Sequence, residues 1–136
     1  MSARLNKIFF DTYMRVDKLA ADKFGIERGG VTAYINRLIN SRFAPDREEA
    51  LSNLIRCREM RNVLAHEGGA LDCYAEITKG DVKWLQGFES DLSRRRDPIS
   101  LYLRKSKGYV LRKRLAALVI ILAVIAAACA GIYFFM

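Results

Sequence analysis

Apolar residues recur every three or four positions along the first 95 residues of the chain, which is the spacing of one face of an α-helix. The pattern predicts a first amphipathic helix over residues 1–24, ended by Gly25, and a second over 32–42, ended by Ala44-Pro45. A loop with the Gly29-Gly30 pair joins them. The predicted inward-facing residues are Leu5, Ile8, Phe9, Val16, Leu19, Ala20 and Phe24 in the first helix, and Tyr34 or Ile35, Leu38 and Ile39 in the second.

Two further helices are predicted over residues 47–67 and about 79–95. We expect Asp46 to cap the first of these, with Glu49 at the reciprocal position of a capping box, and Thr78 to cap the second. Their predicted inner faces are Ala50, Leu54, Cys57, Met60, Leu64 and Ala65, and then Val82, Leu85, Phe88 or Glu89, and Leu92. With Asp97-Pro98 closing the domain, residues 1–97 are predicted to form an all-α, four-helix up-and-down bundle.

The last 22 residues, 115–136, contain no charged residue. As a helix they extend about 33 Å, against roughly 30 Å for the hydrocarbon core of a bilayer. The segment is therefore predicted to be a transmembrane helix, and its place at the end of the sequence indicates a tail anchor that inserts after synthesis. Residues 1–24 lack the continuous apolar region of a secretory signal.

The net charge of +8 belongs to a short segment in front of this apolar stretch. Residues 1–93 hold 14 basic and 14 acidic residues, whereas 94–114 hold nine basic residues and one acidic residue, Asp97. Basic residues among aromatic ones also occur in RNA-binding segments, but the neighbouring span favours a juxtamembrane segment, 98–114, with the N-terminal domain cytoplasmic. Gly108 is a candidate interruption of a helix there. The residues predicted to lie on anionic lipid are Arg104, Lys105, Lys107, Arg112, Lys113 and Arg114.

One segment of the third helix breaks its own pattern. Arg61 projects into the apolar arc, and Asn62 and His66, four positions apart, share a neighbouring face with Arg58. Arginine is seldom buried unless it is paired, so a structural interpretation has Arg61 reaching solvent or a carboxylate, and His66 capping the last carbonyls. The alternative is a functional site, in which the negative end of the helix dipole favours the protonated imidazole of His66, the chain's one histidine.

The sequence Arg61-Asn62-x-x-x-His66 resembles the motif of HEPN domains, in which an arginine and a polar residue precede a histidine late in a long helix of a small bundle. The resemblance covers six residues for the motif and residues 1–96 for the architecture. It implies a metal-independent endoribonuclease that is active as a homodimer with a composite site, with Arg61, Asn62 and His66 catalytic. Arg58 and Glu67 are candidate helpers that the motif does not include.

Together these observations predict a membrane-anchored HEPN-type ribonuclease, a toxin or defence effector, that acts on RNA without a cofactor and needs an inhibitory partner protein for control. One alternative is a non-catalytic HEPN-like dimerisation or partner-binding module at the cytoplasmic membrane face. A third hypothesis is a small membrane protein whose basic juxtamembrane segment senses lipid or binds another membrane protein. The three cysteines, Cys57, Cys73 and Cys129, lack metal-site spacing, so no metal site is predicted.

Overall fold

A computed structural model describes residues 2–135, which divide into two compact units, residues 2–102 and residues 103–135. The described residues contain α-helices and no strand, which confirms the predicted all-α class. The helices are α1 (Ser2–Phe24), α2 (Gly30–Asn40), α3 (Arg47–His66), α4 (Ala70–Cys73), α5 (Lys79–Ser93) and α6 (Pro98–Phe135).

Helix α1 is the centre of the first unit, because it packs against α2, α3, α4 and α5. Its side chains Phe9, Val16 and Ala20 are fully buried, as the apolar stripe predicted, whereas Ile8 is 37% exposed. Helix α2 approaches α1 so closely that a Cβ atom on Gly30 would lie 2.0 Å from the carbonyl oxygen of Asp17. Only glycine fits that contact, and the Asp17 carboxylate accepts a hydrogen bond from the Val31 amide at 2.9 Å.

Helix α2 begins and ends two residues before the predicted positions. Tyr34 and Ile35 are both buried, but Ile39, predicted to face inward, is 47% exposed. The early end has a local cause, because the Arg47 guanidinium donates to the carbonyl oxygens of Leu38 at 3.0 Å and Ile39 at 3.1 Å. Together with the Ser41 amide, which donates to the Leu38 carbonyl oxygen at 3.1 Å, Arg47 engages the carbonyls at the end of the helix.

Helix α3 buries five of the six predicted residues, and the sixth, Ala65, is exposed in the last turn of the helix. The predicted capping box at its start is wrong. Asp46 has a left-handed φ of 53° and makes no capping hydrogen bond, since a cap requires extended backbone to aim the side chain at the next amides. Glu49 accordingly has no reciprocal bond to make.

The predicted cap of α5 is confirmed. The Thr78 hydroxyl accepts a hydrogen bond from the Asp81 amide at 3.2 Å, and the Asp81 carboxylate accepts one from the Thr78 amide at 2.8 Å. Phe88 takes the buried position, while Glu89 accepts a hydrogen bond from Arg15 of α1 at 2.8 Å. The cap is thus a capping box completed by an aspartate.

The first unit extends past Asp97-Pro98, where the sequence pattern placed the end of the domain. Asp97 is fully buried and accepts hydrogen bonds from the Tyr34 hydroxyl at 2.7 Å and the Ser100 hydroxyl at 2.6 Å. Burial, reinforced by the Asp97 carboxylate, raises the pKa of Tyr34, which keeps the phenol a hydrogen-bond donor. Ile99 is 1% exposed and belongs to the core, so the start of α6 is part of the bundle up to Tyr102.

The second unit, from Leu103 onward, consists of the remainder of α6. Gly108 does not interrupt the helix. Helix α6 is long and apolar enough to cross a membrane, and its most apolar window is not buried by any part of the protein. Met136, the last residue of the predicted span, lies outside the described residues.

Candidate active site

The Arg61 side chain lies half-buried on α3, on the side that faces α1. Its Cζ atom is 5.9 Å from the centre of the Tyr13 ring, and its Nη1 atom donates a hydrogen bond to the Asn62 Oδ1 atom at 3.3 Å. Its Nε atom is buried and has no hydrogen-bond partner among residues 2–135. Arg61 therefore neither extends freely into water nor forms an ion pair with a neighbouring helix, the two options of the structural interpretation.

A buried guanidinium nitrogen without an acceptor is unfavourable, because desolvating a polar group without a hydrogen bond costs about 1–3 kcal/mol. Part of that cost is offset by the Tyr13 ring, whose negative face attracts the cation. The arrangement leaves Arg61 with unused donor capacity and a fixed position, which suits an arginine that binds an anion such as phosphate.

Tyr13 is a residue of this site that the sequence interpretation missed. It is 4% exposed on α1, and burial, with a further contribution from the Asp17 carboxylate, raises the pKa of its hydroxyl to about 12. The phenol is therefore uncharged near neutral pH, and its ring supports Arg61 without supplying a proton. A tyrosine four positions after Phe9, on the buried stripe of α1, was the available signal, since a buried tyrosine usually has a polar neighbour.

Arg58, Arg61 and Asn62 line one open groove of about 1080 Å³. The other lining comes from the second half of α1, the loop after it and the start of α2, including Tyr13, Arg28 and Thr32. The structure thus brings three of the predicted site residues together on one surface.

His66 and Glu67 lie apart from that groove lining. His66 is the last residue of α3 and is exposed, and its side chain makes no hydrogen bond or ion pair within residues 2–135. Glu67 is the C-terminal cap, and its carbonyl oxygen accepts a hydrogen bond from the Ala70 amide at 3.1 Å. The His66 imidazole is therefore free to contact a ligand or a second protein chain, and it does not cap carbonyls as the structural interpretation proposed.

A buried asparagine fixes the chain that follows His66. The Asn6 amide nitrogen donates to the carbonyl oxygens of Ala70 at 3.4 Å, Leu71 at 3.1 Å and Tyr74 at 2.7 Å. These bonds hold α4 and the following residue against α1. The turn that directs the chain away from His66 is consequently anchored to the central helix.

The residues predicted to lie on lipid are on the surface of the second unit, all of them exposed: Arg104, Lys105, Lys107, Arg112, Lys113 and Arg114. The Lys113 ammonium lies 5.1 Å from the centre of the Tyr109 ring, which leaves the positive charge exposed. No group of three or more metal-ligating side chains occurs among residues 2–135.

These features define an all-helical protein with a half-buried arginine at an open groove and one helix long enough to span a membrane. The chain belongs to a family described as "Family of unknown function (DUF6548)", whose model matches residues 7–117. No curated protein and no solved structure matches the chain. The match includes the whole of α2, α3, α4 and α5, and assigns no reaction to them.

Proposed function

We propose that this protein is a membrane-anchored, HEPN-type, metal-independent endoribonuclease that acts as a homodimer. The observation that carries the proposal is the state of Arg61, which lines an open groove and is held in place by Tyr13 and Asn62, while its Nη2 atom makes no hydrogen bond within residues 2–135. In the Arg61-Asn62-x-x-x-His66 pattern, a fixed arginine with unused donors has the role of a phosphate clamp.

The reaction is a transesterification. The 2′-oxygen of a ribose attacks the adjacent phosphorus, the bond from phosphorus to the 5′-oxygen breaks, and the products are a 2′,3′-cyclic phosphate and a 5′-hydroxyl. One imidazole takes the proton of the 2′-hydroxyl, and a protonated imidazole gives a proton to the departing 5′-oxygen. Arg61 binds the phosphate oxygens as their charge grows, and Asn62 holds Arg61 through its amide oxygen.

A dimer supplies what one chain lacks. One chain has a single histidine, and the two proton transfers need two groups. His66 is exposed and without a partner at the end of α3, where a second copy can meet it. Two copies of α3 then give one cleft with two arginines and two imidazoles, and the four longer helices of the first unit constitute the HEPN-like bundle.

The C-terminal helix would locate this ribonuclease activity at a membrane. We assign the apolar part of α6 to the bilayer and the bundle to the cytoplasmic face, since the basic residues before the span favour that side. A tethered domain that cuts cellular RNA would act as a toxin or defence effector. Its ribonuclease activity would require control by an inhibitory partner protein.

The test is cleavage of total RNA by the full chain in detergent micelles with excess chelator. We expect products with 2′,3′-cyclic phosphate ends, and we expect His66→Ala and Arg61→Ala each to lower the rate by about 10²–10⁴-fold while the helical circular dichroism persists. Arg42→Ala, at an exposed arginine outside the groove, is the control for loss of a positive charge. Equal rates for wild type and His66→Ala would overturn the proposal.

One observation favours the alternative of a non-catalytic dimerisation or partner-binding module, namely that His66 is apart from the lining of the groove that contains Arg61. That alternative expects intact RNA in the chelator assay. It also expects that a variant with both Arg61→Ala and His66→Ala has the same oligomeric mass in micelles as the wild type and gives the same phenotype in cells.

A further inference from the structure

The groove beside Arg61 is larger than the phosphate clamp requires. Its volume of about 1080 Å³ is slightly above the range of small-molecule pockets, which measure about 300–1,000 Å³, and it is open to solvent. It runs from α3 across α1 to the loop before α2. A single phosphate bound to Arg61 would contact only a small part of the groove surface.

The groove carries positive side chains that the fold does not use. Lys18, Arg28 and Arg58 line it, and none of them makes a hydrogen bond or ion pair within the described residues 2–135. By contrast, Arg15 at its edge is already paired with Glu89. The surplus is local, because residues 1–93 as a whole have no net charge.

The acidic side chains of the groove do not cancel this surplus. Asp17 is engaged by the Val31 amide, so Asp22 and Glu27 are the acidic groups left free. Four basic side chains without a carboxylate partner, Arg61 included, face three acidic ones in the lining. The groove therefore favours an anion along its length and not at Arg61 alone.

Exposed apolar side chains lie among these charges. Met14 is 42% exposed and Ile26 is 39% exposed, and both line the groove. A surface that combines cations with apolar side chains matches a single nucleic-acid strand, whose phosphates need charge and whose unstacked bases need apolar contact.

We propose that this groove is a binding track for single-stranded RNA, in which Arg28 and Arg58 bind phosphates that flank the one held by Arg61, and Met14 and Ile26 contact the bases. The inference rests on the proposed ribonuclease function and extends it to the form of the substrate. A duplex does not fit, because its bases are stacked inside and cannot reach Met14 and Ile26. A free phosphate leaves the apolar positions without a role.

The test uses the full chain with His66→Ala, in neutral detergent micelles, so that RNA binds without being cut. Binding of a labelled 12-nucleotide single-stranded RNA is followed by fluorescence anisotropy from 50 to 300 mM KCl. Each phosphate contact contributes about 0.7 to the slope of log affinity against log salt. We expect Arg28→Ala and Arg58→Ala each to lower that slope by about this amount and to weaken binding roughly three- to tenfold at low salt.

Matched variants separate the track from general electrostatics. Arg42→Ala removes the same charge outside the groove and is expected to leave affinity and slope unchanged, whereas Arg28→Lys, which keeps the charge, is expected to restore the slope that Arg28→Ala lowers. Glu27→Gln is expected to tighten binding about two- to fivefold, because it removes a negative charge beside the phosphates. The Arg42 control also accounts for RNA held by the basic segment before the membrane span.

Three results would overturn the inference: equal behaviour of Arg28→Ala and Arg42→Ala, competition by inorganic phosphate as effective as that by RNA, or equal affinity for a duplex. If the wild type cleaves RNA but Arg28→Ala does not change RNA binding, the ribonuclease proposal stands and the proposed binding track is wrong. If RNA binding depends on Arg28 and Arg58 but the wild type does not cleave RNA, the groove is an RNA-binding site and the ribonuclease proposal is wrong.

Discussion

At the scale of the residue, the contact between Tyr13 and Arg61 determines whether the candidate site is ordered. The guanidinium carbon is 5.9 Å from the ring centre, within the range in which an aromatic face attracts a cation, and the contact is worth about 0.5–2 kcal/mol. Without the ring, Arg61 retains a single hydrogen-bond partner among residues 2–135, the adjacent Asn62. The orientation of Arg61 thus depends on a residue of another helix.

We predict that Tyr13→Leu weakens binding of single-stranded RNA by roughly 2- to 30-fold, while Tyr13→Phe binds as wild type does. The phenylalanine keeps the ring and removes a hydroxyl that makes no hydrogen bond within residues 2–135. The measurement is RNA affinity well below the melting temperature of both variants. If leucine and phenylalanine give the same affinity, the ring has no part in positioning Arg61.

The sequence predicted the inward position of Arg61 but not its partner. The position follows from helical periodicity, because Arg61 falls inside the apolar arc that contains Leu54 and Cys57. The contact with Tyr13 joins residues 48 positions apart, and its formation depends on how α1 and α3 pack, which periodicity does not determine. Helix packing also determines the separation of His66 from the groove, so that separation could not be predicted from periodicity either.

At the scale of the element, the two predicted helix caps had opposite outcomes. Thr78 has extended backbone and forms a reciprocal box with Asp81, whereas Asp46 is left-handed and caps nothing. The residue types suited a cap in both cases, so backbone conformation made the difference. At Asp46 the chain has just left α2, whose last carbonyls are bonded to Arg47. That tertiary contact was not visible in the local pattern.

We predict that Thr78→Ala lowers the free energy of unfolding by about 1 kcal/mol, because the Asp81 amide loses its acceptor. Thr78→Ser keeps the hydroxyl and is expected to stay within about 0.5 kcal/mol of wild type. Urea unfolding in a constant detergent background measures both variants. A loss as large for serine as for alanine would mean that the Thr78 methyl group, and not the cap, stabilises α5.

At the scale of the whole molecule, buried ionisable groups make the bundle sensitive to alkali. Burial, with a smaller contribution from the Asp81 carboxylate, raises the pKa of the Cys57 thiol from 9.0 to about 12. Between these values the unfolded chain loses the proton and the folded chain keeps it. Stability is therefore fully present below pH 9 and falls as the pH rises towards 12. Tyr13 adds to the fall above pH 10.

We predict that the free energy of unfolding falls from pH 9 to 10.5 by about 1.1 kcal/mol per pH unit more in wild type than in Cys57→Ala. The alanine variant is less stable at pH 8, because it leaves a cavity, but its profile is flatter above pH 9. Cys73→Ala, at an exposed thiol, is the control for loss of a sulfhydryl group. Parallel profiles for wild type and Cys57→Ala would show that Cys57 ionises equally in both states.

The fold class and the positions of the main helices were the features that the sequence predicted best. The all-α class, the helix over residues 47–66 and the apolar C-terminal helix all follow from periodicity and composition, which are properties of the chain itself. The end of the first unit was less accessible, because Ile99 is an apolar residue in a stretch that becomes basic. Composition placed the boundary at Asp97, but the bundle includes residues up to Tyr102.

The burial of Asp97 and Ile99 has a practical consequence for anyone who wishes to work without detergent. An expression fragment trimmed where the composition changes would discard an isoleucine whose burial is worth about 1.5–3 kcal/mol, and would place a newly charged carboxyl terminus next to the Tyr34 phenol. Such a fragment would be destabilised for reasons unrelated to the loss of the apolar helix. A stop codon placed beyond Tyr102 keeps both side chains enclosed.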